Sequence, residues 1–171
     1  MQKNLKIILI IIIVSLLILF AYCAIKKYYA IQNIINSDII SIIYSEQGGY
    51  GTKQQIATKK VEITNEGYVI YTNNYNEIFT EKFSIDISKF KTLNNYVVEN
   101  IEIFTTNLKE ERYVSDGGSS YITIKLADGR DFTIGGYMIT NKSFSKLVDK
   151  ILEITDKNRF NSYSKAVSEL P

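Results

Sequence analysis

The stretch YITIKLADGRDFTI, residues 121–134, contains the clearest β-hairpin signal in the chain. Every second residue from Ile122 to Leu126 is apolar, which is the period of a strand with one buried face. Asp128-Gly129 supplies the turn that two-residue hairpins favour, and Phe132 and Ile134 continue the buried face beyond it. The stretch therefore predicts two antiparallel strands over 121–126 and 130–134.

More strands are predicted upstream, from β-branched residues, alternation and flanking turn residues. These segments are 39–45, 55–64, 68–73, 77–85 and a short one at 101–106, followed by a charged connection over 107–112. In the second of them, Ala57, Lys59, Val61 and Ile63 share one face. Asn65-Glu66-Gly67 is a three-residue turn ending in glycine, and it predicts a second hairpin.

Two helices are predicted from apolar residues at helical spacing. The first covers 86–100, where Phe90, Leu93 and Val97 fall on one side and Ser84 or Asp86 can cap the start. The second covers 141–155, and the tail from Lys157 predicts one last helical turn.

Strands, a helix, a hairpin and a helix predict an α+β fold, an antiparallel β-sheet with two helices packed on one face. About 140 residues follow the N-terminal segment, which is the size of one domain with one core. The predicted core is Ile42, Val61, Ile63, Ile70, Phe90, Leu93, Val97, Ile122, Ile124, Phe132, Ile134, Phe144, Leu147, Val148 and Ile151.

The N-terminal segment is of a different kind, because the nineteen residues from Ile7 to Ile25 include no charge. A helix of this length spans about 28 Å, close to the roughly 30 Å hydrocarbon thickness of a bilayer. The apolar part of a signal peptide is usually shorter, about 7 to 15 residues, and is followed by small residues. We therefore expect a transmembrane helix that is retained, with Ile7, Ile12, Leu16, Leu19 and Ile25 among the residues in contact with membrane lipid.

Cys23 is the sole cysteine and lies near the end of this segment. Lipid attachment would call for a small residue before it, whereas Tyr22 precedes it. A free cysteine packs as a small apolar residue, which is the interpretation we prefer over lipidation. Lys26 and Lys27, with Tyr28 and Tyr29, suit the basic and aromatic belt at a membrane interface.

Lys3, Lys6 and the terminal amine precede the apolar segment, while Lys26 and Lys27 follow it, so the positive-inside rule slightly favours a cytoplasmic N-terminus. The organisation we predict is a membrane anchor over 1–27, a helical stalk over 28–37 and a single extracytoplasmic α+β domain over 38–171. After Lys27 sixteen basic residues face eighteen acidic ones. Such a mildly acidic body does not suit a nucleic-acid partner, which needs clustered Lys and Arg.

The composition narrows the chemistry available to the domain. The chain contains no histidine, which excludes Ser-His-Asp and Cys-His catalysis and histidine zinc sites. The cysteine lies in the apolar segment, so thiol chemistry and disulfides are not expected in the domain. Glycine patterns for binding nucleotides are missing, and no cofactor is predicted. Carboxylate chemistry and Ser-Lys chemistry stay open, and no catalytic residue is assigned.

Three places are candidate sites. Asp116, Asp128 and Asp131 offer oxygen ligands for Ca²⁺, although their spacing matches no EF-hand loop. The loop 116–120, of sequence DGGSS, could bind an anion or a peptide through its amides, or simply lead into a strand. A loop over 48–51 and the tyrosines near it could form an aromatic partner surface, or the tyrosines could fill half-buried strand positions. The tyrosines of that surface are Tyr44, Tyr50, Tyr68 and Tyr71.

The order of these signals over residues 38–155 carries a resemblance. It runs from Gly48-Gly49-Tyr50-Gly51 through Asn65-Glu66-Gly67-Tyr68 and a helix near Ser84, then from Ser115-Asp116-Gly117-Gly118-Ser119 into the Asp128-Gly129 hairpin and a last helix. It resembles small membrane-anchored or lipoprotein domains of unknown function from AT-rich Gram-positive bacteria. The resemblance implies a location at the cell membrane and no particular activity.

From these observations we expect a binding or interaction module at the cell envelope, with an envelope protein or peptide as its partner. One alternative is an envelope-glycan hydrolase that uses paired carboxylates about 5 to 9.5 Å apart. Another is an immunity or inhibitor protein.

Overall fold

The computed structural model of the protein describes residues 2–76, 79–105 and 117–171. The chain divides into two compact units, Met1–Asn36 and Ser37–Pro171. The first consists of one helix, α1 (Gln2–Ile35), so the apolar segment runs into the predicted stalk without a break. By length and composition, Ile8–Ile35 could cross a membrane, and no side chain in its most apolar window is buried.

The predicted anchor side chains project outward from α1. Ile12, Leu16, Leu19 and Ile25 are 50 to 59 % exposed, while the side chain of Ile7 lies outside the described part of the chain. The polar Ser15 hydroxyl donates a hydrogen bond to the Ile11 carbonyl within the same helix. A hydroxyl satisfied in this way costs little in an apolar surrounding.

The second unit combines a six-stranded sheet with three helices. Its elements are β1 (Ile39–Gln47), β2 (Lys59–Thr64), β3 (Tyr68–Asn73), β4 (Glu81–Ser84), α2 (Ile87–Thr105), β5 (Ser119–Leu126), β6 (Asp131–Tyr137), α3 (Lys142–Ile154) and α4 (Lys157–Ser168). The strand order across the sheet is β4-β3-β2-β1-β5-β6, and every neighbouring pair is antiparallel. The predicted α+β class, with helices on an antiparallel sheet, is confirmed.

Both predicted hairpins form, and a glycine sets the turn in each. Gly67 (φ +81°) lies between β2 and β3, and Gly129 (φ +85°) lies between β5 and β6. Their amides donate to the Thr64 and Leu126 carbonyls at 3.0 and 3.1 Å. Positive φ values are readily accessible to glycine, so these turns fix the register of the strands on either side.

The helices form one layer, in which α2 packs on α3, α3 packs on α4, and α4 contacts β2 and β3. Tyr71 of β3 and Phe160 of α4 meet edge to face, with ring centroids 5.6 Å apart. Alternate residues of the inner strands are buried on the face that α4 contacts, which gives β2 and β3 their alternating burial.

Twelve of the fifteen predicted core residues are buried, and the other three, Ile70, Phe132 and Val148, are half-buried. Ile70 pairs with Glu62 and Lys82 in the register and therefore lies on the sheet face opposite to Val69 and Tyr71. Those two neighbours are fully buried instead. The predicted core residue is therefore one position away from the buried ones, and one position along a strand moves a side chain to the other face of the sheet.

The prediction of a strand over 101–106 is wrong up to Thr105, because α2 continues through this stretch. Ile101 and Phe104 follow Val97 at helical spacing, and all three are buried. Their β-branched and aromatic types favour a strand locally, but one helical face buries them together. The predicted connection over 107–112 lies outside the described residues.

The prediction of a single last helical turn is also wrong, since the tail forms the twelve-residue helix α4. Phe160, Tyr163 and Val167 are its buried residues. Three helices, rather than two, therefore cover the sheet.

Two strand boundaries differ from the prediction. The second strand begins at Lys59 rather than residue 55, because the preceding residues form turns in which the Ile56 amide donates to the Thr52 carbonyl at 3.0 Å. The strand predicted over 77–85 is β4, limited to Glu81–Ser84, with residues 77 and 78 outside the described part.

Candidate functional site

The four tyrosines of the predicted partner surface do not lie together. Tyr50 is 82 % exposed in its loop, and Tyr68 is partly exposed on the uncovered face of the sheet beneath the Lys82 ammonium. Tyr44 and Tyr71 are buried on the helix-covered face. This corrects the prediction, because Tyr44 and Tyr71 have no surface to offer a partner.

The structure describes two of the three predicted aspartates, Asp128 and Asp131. Asp128 lies in the β5–β6 turn and is held by Arg130, whose backbone and side-chain nitrogens donate to its carboxylate. These hydrogen bonds lower the pKa of Asp128. Asp131 opens β6, and Asp116 lies outside the described residues. Among the described residues, no three His, Cys, Asp or Glu side chains are grouped to hold a metal ion.

The loop over 48–51 and the glycines that precede β5 lie next to each other. In the register of β1 and β5, Gln47 is opposite Ser119, so the loop that leaves β1 lies beside the residues that enter β5. A Cβ on Gly118 would lie 2.5 Å from the Gln47 carbonyl oxygen. The close approach of the two backbones therefore requires glycine at this position.

A cleft of about 400 Å³ opens where these loops meet, and we call it the sheet-end cleft. Its walls come from β1, β2, β5 and the segment after β6. They are Glu46, Gln47, Gly48, Gln55, Lys59, Gly118, Ser119, Ser120, Met138 and Ile139. The lining combines one carboxylate, one amine, two amides and two hydroxyls with an apolar side.

Glu46 is the acidic group of the cleft, and it is held from two sides. The Tyr44 hydroxyl and the Ser164 hydroxyl, the latter from α4, each donate to its carboxylate at 3.2 Å. Burial raises the pKa of the Tyr44 phenol, and the negative charge of Glu46 raises it further. Tyr44 therefore acts as a neutral donor that orients the carboxylate.

Lys59 is the basic group, and it is 5 % exposed. Its Nζ donates to the Gln55 carbonyl at 2.9 Å. Burial lowers the pKa of Lys59, while the charge of Glu46 opposes this shift. Lys59 lies directly opposite Glu46 in the β1–β2 register, so an amine and a carboxylate stand side by side on the covered face.

The sequence indicates that Lys59 lies on the buried face, but it does not predict the cleft around it. Alternation places Lys59 on the same face as Val61 and Ile63, and a charged residue in a buried series is unusual. Its pairing with Glu46 depends on the β1–β2 register, and the connection between those strands is too irregular to predict it. The two glycine loops are visible in sequence, but their meeting depends on the β1–β5 pairing.

The arrangement is better suited to binding than to Ser-Lys catalysis. Lys59 donates to the Gln55 backbone carbonyl rather than to a serine hydroxyl. A serine nucleophile needs a base within hydrogen-bonding distance. The described hydrogen bonds include none between Lys59 and a serine hydroxyl, and both Lys59 and Glu46 keep further hydrogen-bonding capacity.

The described part of the chain also has other clefts. A groove of about 400 Å³ runs between α2 and α3, lined by Ser88, Lys89, Thr92, Leu93, Lys150, Glu153 and Ile154. Another cleft, of about 380 Å³ beside β3, has no carboxylate among its lining residues. Neither has a buried charged side chain comparable to Lys59 in its lining.

No protein-family model matches the sequence, and no curated protein matches it.

Proposed function

We propose that the chain is a single-pass membrane protein whose α+β unit is displayed outside the cell and acts as a binding module of the envelope. The observation that carries this proposal is the exposed apolar helix α1. From Ile8 to Phe20 its large apolar side chains are 47 to 77 % exposed. In water each such side chain forgoes about 1.5 to 3 kcal/mol of burial free energy, a loss that a bilayer would relieve.

The orientation follows from charge. Lys3, Lys6 and the terminal amine precede the apolar segment, and Lys26 and Lys27 follow it. The positive-inside rule then places the N-terminus in the cytoplasm.

A binding role is supported by the carboxylates that line the clefts. The sheet-end cleft has Glu46, and the α2–α3 groove has Glu153. A glycan hydrolase of the usual kind needs two carboxylates in one cleft, about 5 to 9.5 Å apart. The described clefts therefore favour binding over glycan hydrolysis, and an immunity or inhibitor role would be one form of binding.

The orientation test fuses alkaline phosphatase or a green fluorescent protein after Pro171. Phosphatase is active only when exported, whereas the fluorescent protein matures in the cytoplasm. We expect an active phosphatase fusion and a dark fluorescent fusion. The reverse pattern would show the α+β unit inside the cell and refute the display outside.

The anchor test compares Leu16→Lys with Tyr28→Lys. A lysine near the middle of a transmembrane helix costs roughly 2.5 to 3.5 kcal/mol, whereas one at its end costs much less. We expect Leu16→Lys, but not Tyr28→Lys, to increase the fraction of chain released by alkaline carbonate extraction. Equal extraction of both variants and the wild type would contradict an anchor centred on this segment.

A further inference from the structure

We propose that the sheet-end cleft binds a free α-amino acid, with the ligand carboxylate on Lys59 and the ligand ammonium on Glu46. This inference rests on the proposed function of the α+β unit as a binding module. It adds the chemical class of the ligand.

The charges of the cleft are opposite, adjacent and not consumed by each other. Glu46 and Lys59 are cross-strand partners, which places their Cβ atoms about 4.5 to 5.5 Å apart. The Lys59 ammonium donates to the Gln55 carbonyl, and the Glu46 carboxylate accepts from Tyr44 and Ser164. An ammonium has three donors and a carboxylate about four acceptor sites, so both retain capacity for a ligand.

A ligand with one charge would meet attraction and repulsion in this cleft. A simple anion on Lys59 would lie close to the Glu46 carboxylate, and a simple cation on Glu46 would lie close to the Lys59 ammonium. A zwitterion satisfies both groups. In an α-amino acid a single carbon separates the two charged groups, which matches side chains that project from neighbouring strands.

The remaining walls fit the rest of such a molecule. Ser119 and Ser120 add hydroxyls beside the charged pair, and Met138 and Ile139 form an apolar side. A volume of about 400 Å³ is at the small end of ligand sites. The cleft therefore suits an amino acid with an apolar side chain, such as leucine, better than a folded partner.

The test uses the full chain in lipid nanodiscs and isothermal titration calorimetry. The probes are L-leucine, N-acetyl-L-leucine, which lacks the ammonium, and L-leucinamide, which lacks the carboxylate. We expect L-leucine to bind and each analogue to bind weaker by roughly tenfold or more, since each loses a charged hydrogen-bonding partner. The other common L-amino acids are titrated in the same way to find the preferred side chain.

Two variants connect each ligand charge to one residue. Glu46→Gln should remove the preference for L-leucine over N-acetyl-L-leucine, and Lys59→Met should remove the preference over L-leucinamide. Lys60→Met and Glu66→Gln are the matched controls, because both residues are exposed and neither lines the cleft. Both controls should bind as the wild type does.

The possible outcomes separate this inference from the proposed function. Equal binding of N-acetyl-L-leucine would show a site for a simple anion or a peptide carboxyl end and would overturn the zwitterion. Failure of every amino acid to bind would also overturn it, and these comparisons on the wild type do not depend on whether a variant folds. If no amino acid binds but the phosphatase fusion is active, the proposed display outside the cell is kept and only the proposed ligand class is refuted.

Discussion

The sheet face on which Lys59 lies can be predicted from the sequence, but the groups that contact it cannot. Alternation with Val61 and Ile63 puts it on the covered face, and the structure buries it there. A buried ammonium needs partners, and the Gln55 carbonyl and the nearby Glu46 carboxylate come from two different segments. Neither partner follows from the local pattern around residue 59.

The lowered pKa of Lys59 has a consequence for stability against pH. Between the folded pKa and the ordinary value of 10.5, the unfolded state binds more protons than the folded state. The contribution of Lys59 to the free energy of unfolding therefore increases as pH rises through this window. Urea unfolding at pH values rising towards 10.5 should show the stability of the wild type and of Lys60→Met increasing relative to that of Lys59→Met. The same pH dependence in all three would refute it.

Tyr71 is a second residue whose role is decided by distant contacts. Its hydroxyl donates to the Thr155 carbonyl, and its ring contacts Phe83, Phe160 and Tyr163. Burial raises the pKa of Tyr71 to about 12. The phenol thus stays a neutral donor that ties β3 to the end of α3.

We expect Tyr71→Phe to lower the free energy of unfolding by about 1 to 3 kcal/mol, because the buried Thr155 carbonyl loses this donor. Tyr68→Phe is the matched control, since Tyr68 lies on the opposite face and a phenyl ring can still contact Lys82. It should change stability by less than about 0.5 kcal/mol. Urea unfolding measures both, and equal effects would contradict the burial argument.

At the scale of elements, the extents of α2 and α4 depend on packing rather than on local propensity. Helix α2 extends over residues that favour a strand, because its buried face continues through Ile101 and Phe104. Helix α4 forms although its sequence is polar, because Phe160, Tyr163 and Val167 meet the sheet on one face. A helix of twelve residues is marginal in isolation, so packing supplies its stability.

The start of α4 offers a test at this scale. Asp156 has a positive φ of 63° and accepts hydrogen bonds from the Asn158 and Arg159 amides. Asp156→Ala should lower stability by about 0.5 to 2 kcal/mol through loss of the cap, with a further cost for alanine at positive φ. Asp156→Gly should lose less, because glycine tolerates this φ.

Asp149→Ala is the control for this cap. Its carboxylate lies 3.8 Å from the Lys157 amine, and both side chains are well exposed, so the pair contributes little. Urea unfolding midpoints should rank the control first, then Asp156→Gly, then Asp156→Ala. Any order in which Asp156→Gly is the least stable would contradict the account of the cap.

At the scale of the whole molecule, the two units differ in what they bury. The unit from Ser37 to Pro171 has its own core, whereas the helix before it exposes apolar side chains. This difference is the physical basis for expecting the second unit to need no lipid.

We expect the fragment 37–171 to be recovered without detergent and to show the circular dichroism of a mixed helix and sheet protein. The full chain should instead sediment with membranes and need detergent for extraction. Aggregation of the fragment, with loss of its secondary structure, would show that the two units depend on each other for folding.

The sequence by itself determined the features that arise from neighbouring residues. These are the apolar helix, both hairpins with their glycines, the α+β class and most of the core, because period, turn chemistry and length act over a few residues. Tertiary structure decided the extent of α2 and α4, the burial of Tyr44 and Tyr71, and the meeting of Glu46 with Lys59. The helix lengths and the burial of the tyrosines depend on packing between the helices and the sheet, and the meeting of Glu46 with Lys59 depends on the pairing of β1 with β2. Both join segments that are separate in the chain, and no local pattern specifies them.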